Sequence, residues 1–571
     1  MLVFITTSLF AITNKQYIVP VDESDNIMGI MQSLYIESGM ALPSSTMPYS
    51  VAELELMANQ IKTNKLTKIG VVQYQYLQDK LKSFTQQIND DIYYYMTPTL
   101  NVEGYAHLNT DHFTEKSDWD YDFQKQQKFF TLDVGLMVED LAYSYLNLQL
   151  GASERAYPKD SPNIYFGANN YATNIPFLDV VDGMNISTDI SDRAFVALGG
   201  NNWSAEFGRD QLSWGNGISG NLFLSDNLDY QNMGRFTFFG KSFKYTYVAS
   251  FLPFQGNYVE DPDFELNTNQ NQALQGFSMF SAHKIEGRLF NDRLGWGISE
   301  GNMFVSEDGT FDMAALNPML SYHSLYYKAN CNSIISVDLD LTLGNNINLY
   351  AQLVVDDLVI PIGETKTGSW SPDAYGAIIG IRHLSEKLDY QNMVSFEVAY
   401  TTPYLYLRND GTSDTQDGYG INFVVALRKF DQNGIFYDKK FLGYEFGGDA
   451  MILNINNKLY DRNKWSLDTN LFLMCHGTFD TDTKWSTVGP TSVSERDEVS
   501  TPTTSNYKDS KNSPEYTGVL GFNFSTKPTK NLSLYMQLDF IGIANPDNVY
   551  IKDGDNFQGD IQLTVGSSIS Y

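Results

Sequence analysis

The sequence is poor in cysteine and in basic residues. Its 571 residues contain two cysteines, Cys331 and Cys475, and 38 Lys and Arg against 68 Asp and Glu, which gives a formal net charge of −30. Two distant cysteines exclude a disulfide-stapled scaffold and a cysteine-based zinc site, and they leave open whether the two pair. The negative charge argues against nucleic acid as a partner, because phosphate binding needs a positive field.

Long hydrophobic runs are also missing. No stretch reaches the ~20 apolar residues of a transmembrane helix, so residence in a membrane requires a β-barrel. The most apolar segment, residues 1–12, reads MLVFITTSLFAI. It is typical of the core of a secretory signal peptide, although the basic region that normally precedes such a core is absent. We predict a signal peptide, truncated at its start, over residues 1–14, with a buried N-terminal strand as the alternative.

Recognised motifs of catalysis and metal binding are absent as well. The six histidines show neither the HExxH spacing nor another close ligand pair, and no G-x-S-x-G marks a nucleophilic serine. Acidic residues are abundant, but no spacing singles out two carboxylates for glycoside hydrolysis. The sequence therefore predicts a protein that is not an enzyme and that holds no metal or cofactor.

The sequence does contain strict alternation of apolar and polar residues, most clearly at its end. Residues 557–571, FQGDIQLTVGSSISY, place apolar side chains on one face of a strand and polar ones on the other. This run far exceeds the roughly 5–6 residues of an ordinary strand, and it ends on an aromatic, Tyr571. It is typical of the closing strand of an outer-membrane barrel. We expect outer-membrane lipid and, through this strand, the barrel assembly machinery as partners.

Helical spacing is confined to the segment before residue 95. Ser50 and Glu53 form an S-x-x-E capping box that opens a helix, and apolar residues recur at three- and four-residue spacing before and after it. Three short helices with single apolar faces must pack on one another or on a further surface. We predict a small periplasmic helical subdomain over residues 15–95, followed by a barrel over residues 96–571.

From about residue 97 the period is two. Tight turns, such as Asn291–Asp292, residues 344–346 and residues 527–529, join alternating segments into hairpins, and long polar stretches such as residues 153–192 and 480–514 separate the hairpins. Tight turns on one side and long loops on the other are the asymmetry of outer-membrane barrels. The predicted fold class is an all-β membrane barrel of about 18 antiparallel strands in the cell outer membrane.

Alternation also sorts the charges inside this barrel. Charged side chains opposite apolar rows must face the lumen, because a charge facing lipid near the midplane costs roughly 2–4 kcal/mol. The candidate lumen residues are Lys284, Glu286, Arg288, Asp338, Asp340 and Gln352. We expect neighbouring rows of opposite charge to pair across strands. Such pairs either close the interior with salt bridges or line a pore or a sugar site, and both interpretations stay open.

A glycine-rich stretch in the middle of the chain is less generic. Residues 208–226 read GRDQLSWGNGISGNLFLSD, in which three glycines follow Trp214 and allow tight bends at the end of a strand. Such a tryptophan either stacks on the face of a sugar or anchors the rim of a barrel at the membrane interface. Together with Arg209 and Asp226, Trp214 forms our candidate ligand-binding set.

Five sequence blocks between residues 17 and 450 carry a resemblance to a known family. They read YIVPVDESDNIMGIMQSLYIESGMALPSSTMPYSVAEL, GRDQLSWGNGISGNLFLSD, LNPMLSYHSLY, NINLYAQLVVDD and GYEFGGDA. In content and order they resemble the capsule assembly Wzi family of outer-membrane β-barrel proteins. The resemblance implies a barrel with an N-terminal helical bundle that acts as a lectin and holds capsular polysaccharide. The chain departs from the family at Asn216, where the family usually has proline.

The predicted function is non-catalytic, lectin-like binding or anchoring of a surface polysaccharide, capsular or exopolysaccharide, by external loops and rim aromatics. The strongly negative net charge fits a neutral glycan, or acidic sugars bridged by cations, better than a bare acidic polymer. A cation-preferring porin and a surface adhesin are the alternatives.

Replacing Tyr571 with a charged residue is expected to impair barrel assembly, since the closing strand would lose its interfacial aromatic. Insertion into the outer membrane, assayed by the heat-modifiable mobility of the folded barrel, measures the effect. The aromatic substitution Tyr571→Phe serves as the control. Normal insertion of the charged variant would contradict the role assigned to this strand.

Overall fold

The computed structural model describes the greater part of the chain. It covers residues 16–19, 27–84, 92–113, 126–139, 141–152, 170–177, 186–189, 192–253, 277–306, 316–317, 331–357, 372–387, 390–408, 421–431, 434–461, 464–489, 513–552 and 554–571. The predicted signal peptide, residues 1–14, lies outside the described residues, as does most of the polar stretch of residues 480–514.

The N-terminal segment forms three helices, as its spacing predicts. Helices α1, α2 and α3 cover Ile27–Glu37, Val51–Ala58 and Lys68–Phe84. A 3-10 turn covers Thr63–Lys65, and Ser50 caps α2 by accepting a hydrogen bond from the amide of Glu53 at 3.3 Å. The helices share one apolar core, so we call them the helical unit. Within the described residues no helix has the length and hydrophobicity needed to cross a membrane.

The rest of the chain is dominated by eighteen long strands. Their bounds are β1 Ile92–His107, β2 Phe130–Val138, β3 Ala142–Ala152, β4 Ala194–Gly200, β5 Trp203–Asp210, β6 Gln231–Phe239, β7 Phe243–Leu252, β8 Phe277–Leu289, β9 Leu294–Ser306, β10 Cys331–Leu343, β11 Ile347–Asp357, β12 Ala374–Lys387, β13 Tyr390–Thr401, β14 Ala450–Asp461, β15 Trp465–His476, β16 Glu515–Thr529, β17 Leu532–Ala544 and β18 Phe557–Ser570. Each pairs antiparallel with the next, and β18 pairs with β1. The predicted fold class and the predicted closing strand are therefore confirmed.

Short elements accompany the barrel. Two-residue strands Ile18–Val19 and Tyr49–Ser50 pair with each other, and Thr46–Met47 pairs with Ser213–Trp214. The remaining short elements are a hairpin of Val424–Asp431 and Gly434–Phe441, edge strands Tyr171–Thr173 and Ile186–Asp189, the helix Trp485–Val488 and the 3-10 turn Pro546–Asn548. Cys331 and Cys475 are both free, so they do not pair with each other in this structure.

The two faces of the barrel wall differ as alternation predicts. Along β10, Val337 and Leu339 are exposed on the outside, whereas Asp338 and Asp340 are buried on the inside. Along β18, Val565 is exposed and Gln562 is buried. A closed barrel with an apolar outer surface satisfies its backbone groups without water, which is the way that strands cross a membrane. The protein is an outer-membrane β-barrel.

The ends of the barrel are unequal. Short connections join the strands at one end, for example residues 290–293 and 344–346, and this end is periplasmic in bacterial barrels. One predicted turn is wrong: residues 527–529 belong to β16, where the pairing with β17 shifts between Thr526 and Thr529, and the connection is residues 530–531. The barrel also begins earlier than predicted, at Ile92.

The helical unit covers the short-turn end, and the residues that follow α1 enter the barrel. The amide of Ala41 donates to the carbonyl of Asp292 at 2.8 Å, and Thr342 Oγ1 donates to the carbonyl of Met40 at 2.8 Å. From there residues 40–50, which we call the strap, run inside the wall, where Arg235 donates to the carbonyl of Pro48. The link between α1 and α2 is therefore part of the contents of the lumen.

Glu37, at the end of α1, is buried against the first turn of α3. Its Oε1 accepts a hydrogen bond from Thr67 Oγ1 at 2.8 Å. A Cβ at Gly70 would lie 1.9 Å from Oε2, so glycine leaves the room that the carboxyl group occupies. Burial raises the pKa of Glu37 above its ordinary value, while the hydrogen bond from Thr67 lowers it. The helical unit therefore accommodates the neutral acid better than the carboxylate.

We expect Glu37→Gln to stabilise the helical unit at about pH 7 and to change little at about pH 4. Because its folded-state pKa is raised, Glu37 contributes stability below its unfolded pKa and loses that contribution as the pH rises through the folded value. Hydrogen exchange of the α3 amides at both pH values measures the effect. Glu55→Gln on α2 is the control, and unchanged protection in the Glu37 variant at neutral pH would contradict the assignment.

Candidate functional site

Glu286 on the inner face of β8 holds the strap in the lumen. Its carboxylate accepts hydrogen bonds from Ser44 Oγ at 2.9 Å, from the Ser45 amide at 2.7 Å and from Thr46 Oγ1 at 2.6 Å. Ser45 Oγ adds a fourth at 3.1 Å. Hydrogen bonds to a charged group contribute roughly 1.5–3 kcal/mol each, so this one side chain is a strong attachment point.

Lys284 of β8 lies between Glu286 and the inward-facing carboxylate of Asp338 on β10. Its Nζ lies 3.0 Å from Asp338 Oδ2 and 3.8 Å from Glu286 Oε1, with no exposed surface on the lysine side chain. The sequence pattern predicts that the charged rows of β8 and β10 pair as neighbours, but β9 lies between these two strands. Gly297 of β9 makes the contact possible: a Cβ there would lie 2.8 Å from Lys284 Cε.

Two further predicted lumen residues, Asp340 and Gln352, bind the loop between β5 and β6. We call residues 211–230 the inserted loop, because it folds back into the barrel from the long-loop end. Gln352 donates to the carbonyl of Trp214 at 2.9 Å and accepts from the amide of Leu222 at 2.6 Å. Asp340 accepts from Asn216 Nδ2 at 3.3 Å, a contact that proline at this position could not make.

Arg288 serves the helical unit rather than the carboxylates of β10. Its guanidinium donates to Gln60 Oε1 and to the carbonyl of Lys241, and its Nε lies 3.7 Å from Asp292. The expected pairing of Arg288 with Asp338 or Asp340 is wrong, since the side chain points to the short-turn end. Lys284, and not Arg288, is the cation that pairs with Asp338.

Sequence reasoning missed Glu397 of β13, which does for the inserted loop what Glu286 does for the strap. Glu397 accepts from the amides of Ile218 and Ser219 at 2.8 and 2.9 Å, and from Ser219 Oγ at 2.5 Å. Tyr350 OH donates to the same carboxylate at 2.7 Å. Its sequence signal is a lone acidic residue on the polar face of a long apolar strand, the same signal that identified Glu286.

Trp214 is inside the barrel and not at its rim. It has no exposed surface, it stacks on Phe223 with ring centroids 5.7 Å apart, and it joins an apolar cluster that fills the middle of the lumen. Its backbone pairs with Thr46 of the strap. Neither the interface anchor nor the exposed stacking platform considered from the sequence matches this position. The glycines after Trp214 instead let the inserted loop turn within the lumen, with Gly215 at φ +151° and Gly220 at φ +114°.

Arg209 and Asp226, in contrast, lie near the long-loop end of the wall. The guanidinium of Arg209 covers the ring of Tyr230 at 3.8 Å, and Gln211 donates to the carbonyl of Asp226 at 2.5 Å. Close by, Lys440 Nζ of the short hairpin lies 3.0 Å from Asp229 Oδ1. We call five residues at this end the mouth cluster, of which four are partly exposed and Tyr230 is buried. Its members are Arg209, Asp226, Asp229, Tyr230 and Lys440.

The opposite side of the lumen is lined by amides. The amide wall comprises inward-facing side chains of β14 to β18. Its members include Asn454, Asn456, Lys458, Asp468, Asn470, Asn523, Gln537, Asp539 and Gln562. Lys458 and Asp468 face each other at 4.0 Å, and their side chains are 24% and 27% exposed although they point inward. Solvent therefore reaches this pair, whereas Asn454, Asn470, Gln537, Asp539 and Gln562 of the same wall are buried, as Lys284 is.

Helix α1 covers the amide wall at the short-turn end. Ser33 Oγ of α1 lies 2.5 Å from the hydroxyl of Tyr460, the inward-facing residue that follows Lys458 on β14, and Tyr460 is buried. The space beside the amide wall is therefore bounded by the helical unit at this point. The described residues include no cluster of three or more His, Cys, Asp or Glu that could hold a metal ion.

Comparison with known proteins adds information on the fold. No family model and no curated protein matches the sequence. Among solved structures, the chain is similar to Wzi of Escherichia coli, described as an outer-membrane protein involved in group 1 capsule assembly and a carbohydrate-binding β-barrel. The TM-score is 0.56 and the identity 13%, over 97% of this chain and 99% of that chain. At this identity the likeness shows the barrel architecture.

Weaker likenesses extend to channels. The outer-membrane channel DcaP of Acinetobacter baumannii has a TM-score of 0.33 at 8% identity, over 84% of this chain and 97% of that chain. OprB of Pseudomonas putida has a TM-score of 0.32 at 11% identity, over 84% of this chain and 94% of that chain.

Glu286→Ala is expected to loosen the strap from the barrel wall. The change removes the acceptor of four strap hydrogen bonds and one of the two carboxylates beside Lys284, and breaking a buried ion pair costs roughly 3–5 kcal/mol. Hydrogen exchange of residues 42–47 in the purified barrel should become faster, with a smaller change in Glu286→Gln. Glu300→Ala, at the partly exposed pair with His283, is the control. Unchanged exchange of the strap in Glu286→Ala would exclude the attachment role.

Proposed function

We propose that this outer-membrane barrel binds a surface polysaccharide without catalysis and holds it at the long-loop end. The observation that carries the proposal is the filled half of the lumen. The strap and the inserted loop occupy the space inside β5 to β13 and are held there by Glu286 and Glu397. A barrel stabilised in this way is a rigid support for its external loops.

The composition of the mouth cluster suits a glycan. Arg209 and Lys440 supply charged donors, Asp226 and Asp229 supply acceptors, and the side chains of Asp229 and Lys440 are 21% and 25% exposed. Alternating donors and acceptors match sugar hydroxyls, which both donate and accept hydrogen bonds. The mixed charge of the cluster favours a neutral glycan, or acidic sugars bridged by cations, over a bare acidic polymer.

The similarity to Wzi of Escherichia coli supports the same proposal, since that protein is described as carbohydrate-binding and the likeness covers 97% of this chain. The blocks that resemble the capsule assembly family include the inserted loop, which in this structure leads directly into the mouth cluster. We expect outer-membrane lipid around the wall and, during assembly, the barrel assembly machinery at β18 as further partners.

A cation-preferring porin is the second candidate, and the amide wall favours it. Solvent reaches Lys458 and Asp468 inside the lumen, and the further inward-facing carboxylates of β17 and β18, Asp539 and Asp560, are buried. Such a surface suits small hydrated cations and neutral solutes. The contact between Ser33 and Tyr460 would have to open before a solute could leave at the short-turn end.

Glycan binding is tested with surface polysaccharide extracted from the cells that produce the protein. We expect the purified full-length barrel to bind it, and the variant Arg209→Ala/Lys440→Ala to bind about tenfold more weakly or worse, since each charged hydrogen bond contributes roughly 1.5–3 kcal/mol. Lys82→Ala/Lys530→Ala, at the short-turn end, removes the same charge and should bind normally. If the wild-type barrel ignores the glycan, the proposed function fails.

Conductance in planar bilayers separates the two candidates. A barrel closed by the helical unit should show no steady open level, whereas a porin should give steady, cation-selective steps. A variant that removes the lumen contact, Tyr460→Ala, should raise conductance only if the amide wall borders a usable path. Steady conductance of the wild-type protein together with no glycan binding would establish the porin in place of the lectin-like barrel.

A further inference from the structure

A cationic pocket lies at the short-turn end, between the helical unit and the connection from β8 to β9. The cavity measures about 530 Å³ and is lined by Gly39, Lys62, Lys65, Phe290, Asn291 and Arg293. Three of these six residues are cationic and none is acidic. In a chain with a net charge of −30, this grouping creates a local positive field that attracts anions.

The charges of the pocket are not neutralised within the described part of the chain. Neither Lys62, Lys65 nor Arg293 forms an ion pair there, and Lys65 Nζ donates only to the carbonyl of Ser38, at 3.2 Å. The acid on the same connection, Asp292, pairs instead with Arg288, whose Nε lies 3.7 Å away. The ammonium and guanidinium groups therefore have donors available for an anion.

Backbone geometry keeps the pocket open. Gly39 adopts φ +69°, and a Cβ there would lie 3.0 Å from the carbonyl of Gly344 and 3.6 Å from Lys65 Nζ. On the other side Phe290, Asn291 and Asp292 all adopt left-handed φ values, of 54°, 57° and 69°. Ala41 fixes this connection by its hydrogen bond to Asp292. The helical unit and the barrel together set the separation between the cations.

The position of the pocket indicates the source of the anion. Leu289, the last residue of β8, is exposed on the lipid-facing side, and the neighbouring Phe290 is 73% exposed. An apolar edge followed directly by cations is the arrangement of a membrane interface, where Lys and Arg attract anionic headgroups.

We propose that this pocket binds the phosphate of an anionic phospholipid headgroup in the leaflet at the short-turn end. Phe290 lies against the acyl boundary, and Lys62, Lys65 and Arg293 surround the phosphate from two separate parts of the chain. A bound lipid would thereby join the helical unit to the barrel wall.

Native mass spectrometry of the delipidated full-length protein tests the proposal. Phosphatidylglycerol should be retained in preference to phosphatidylcholine, and Lys62→Gln/Lys65→Gln/Arg293→Gln should lower its affinity at least about tenfold. The matched control Lys68→Gln/Lys82→Gln/Lys530→Gln removes three exposed positive charges at the same end of the barrel, outside the pocket. The control should retain phosphatidylglycerol as the wild type does.

Competition with glycerol phosphate distinguishes the two sources of phosphate. Persistence of the lipid in excess glycerol phosphate supports the headgroup, whereas displacement at low concentration supports a soluble phosphate ester in the same pocket. Equal lipid retention by the pocket variant and the wild type would overturn the proposal, and so would an equal loss in the pocket and control variants. Heat-modifiable mobility confirms that each variant is a folded barrel.

Discussion

The contents of the barrel depend on buried carboxylates of its wall that accept hydrogen bonds from inserted backbone. Glu286 accepts several hydrogen bonds from the strap, and Glu397 accepts several from the inserted loop. Neither segment contains a strand of the barrel. A carboxylate inside a barrel is costly unless it is paired and fully hydrogen-bonded, so each inserted segment and its acceptor require one another. Lys284 completes this arrangement by neutralising the charge between Glu286 and Asp338.

This constraint makes two sides of the lumen unlike. On the side of β5 to β13 the inserted segments meet through the pairing of Trp214 with Thr46, and their apolar core extends to Ile452, Phe472 and Val519 on β14 to β16. On the side of β14 to β18 solvent reaches Lys458 and Asp468 of the amide wall. The filled side of β5 to β13 makes the barrel a rigid support for the mouth cluster. The side of β14 to β18 is the one along which small solutes could pass. Both candidate functions therefore arise from the same asymmetry in how the lumen is filled.

Sequence patterns predicted the wall well because alternation is a local property. The side chains of Lys284, Glu286, Asp338, Asp340 and Gln352 all point inward, as a period of two requires. The same reasoning gave the wrong partner to Arg288, since it did not include the strand between β8 and β10 or the role of Gly297. For Trp214 it offered a sugar-stacking residue or a rim anchor, and neither is correct, because an aromatic after a strand followed by glycines is equally compatible with a loop that turns inward.

The sequence by itself determined the membrane barrel, its closing strand, the three helices and the inward row of charges, because each depends on the spacing of neighbouring residues. Tertiary structure alone decided where the loops go. Residues 40–50 and 211–230 meet inside the barrel, Arg209 comes to cover Tyr230 near Lys440, and Lys62 and Lys65 come to face Arg293. These contacts join residues far apart in sequence, and their energy comes from burial and pairing that no local pattern records.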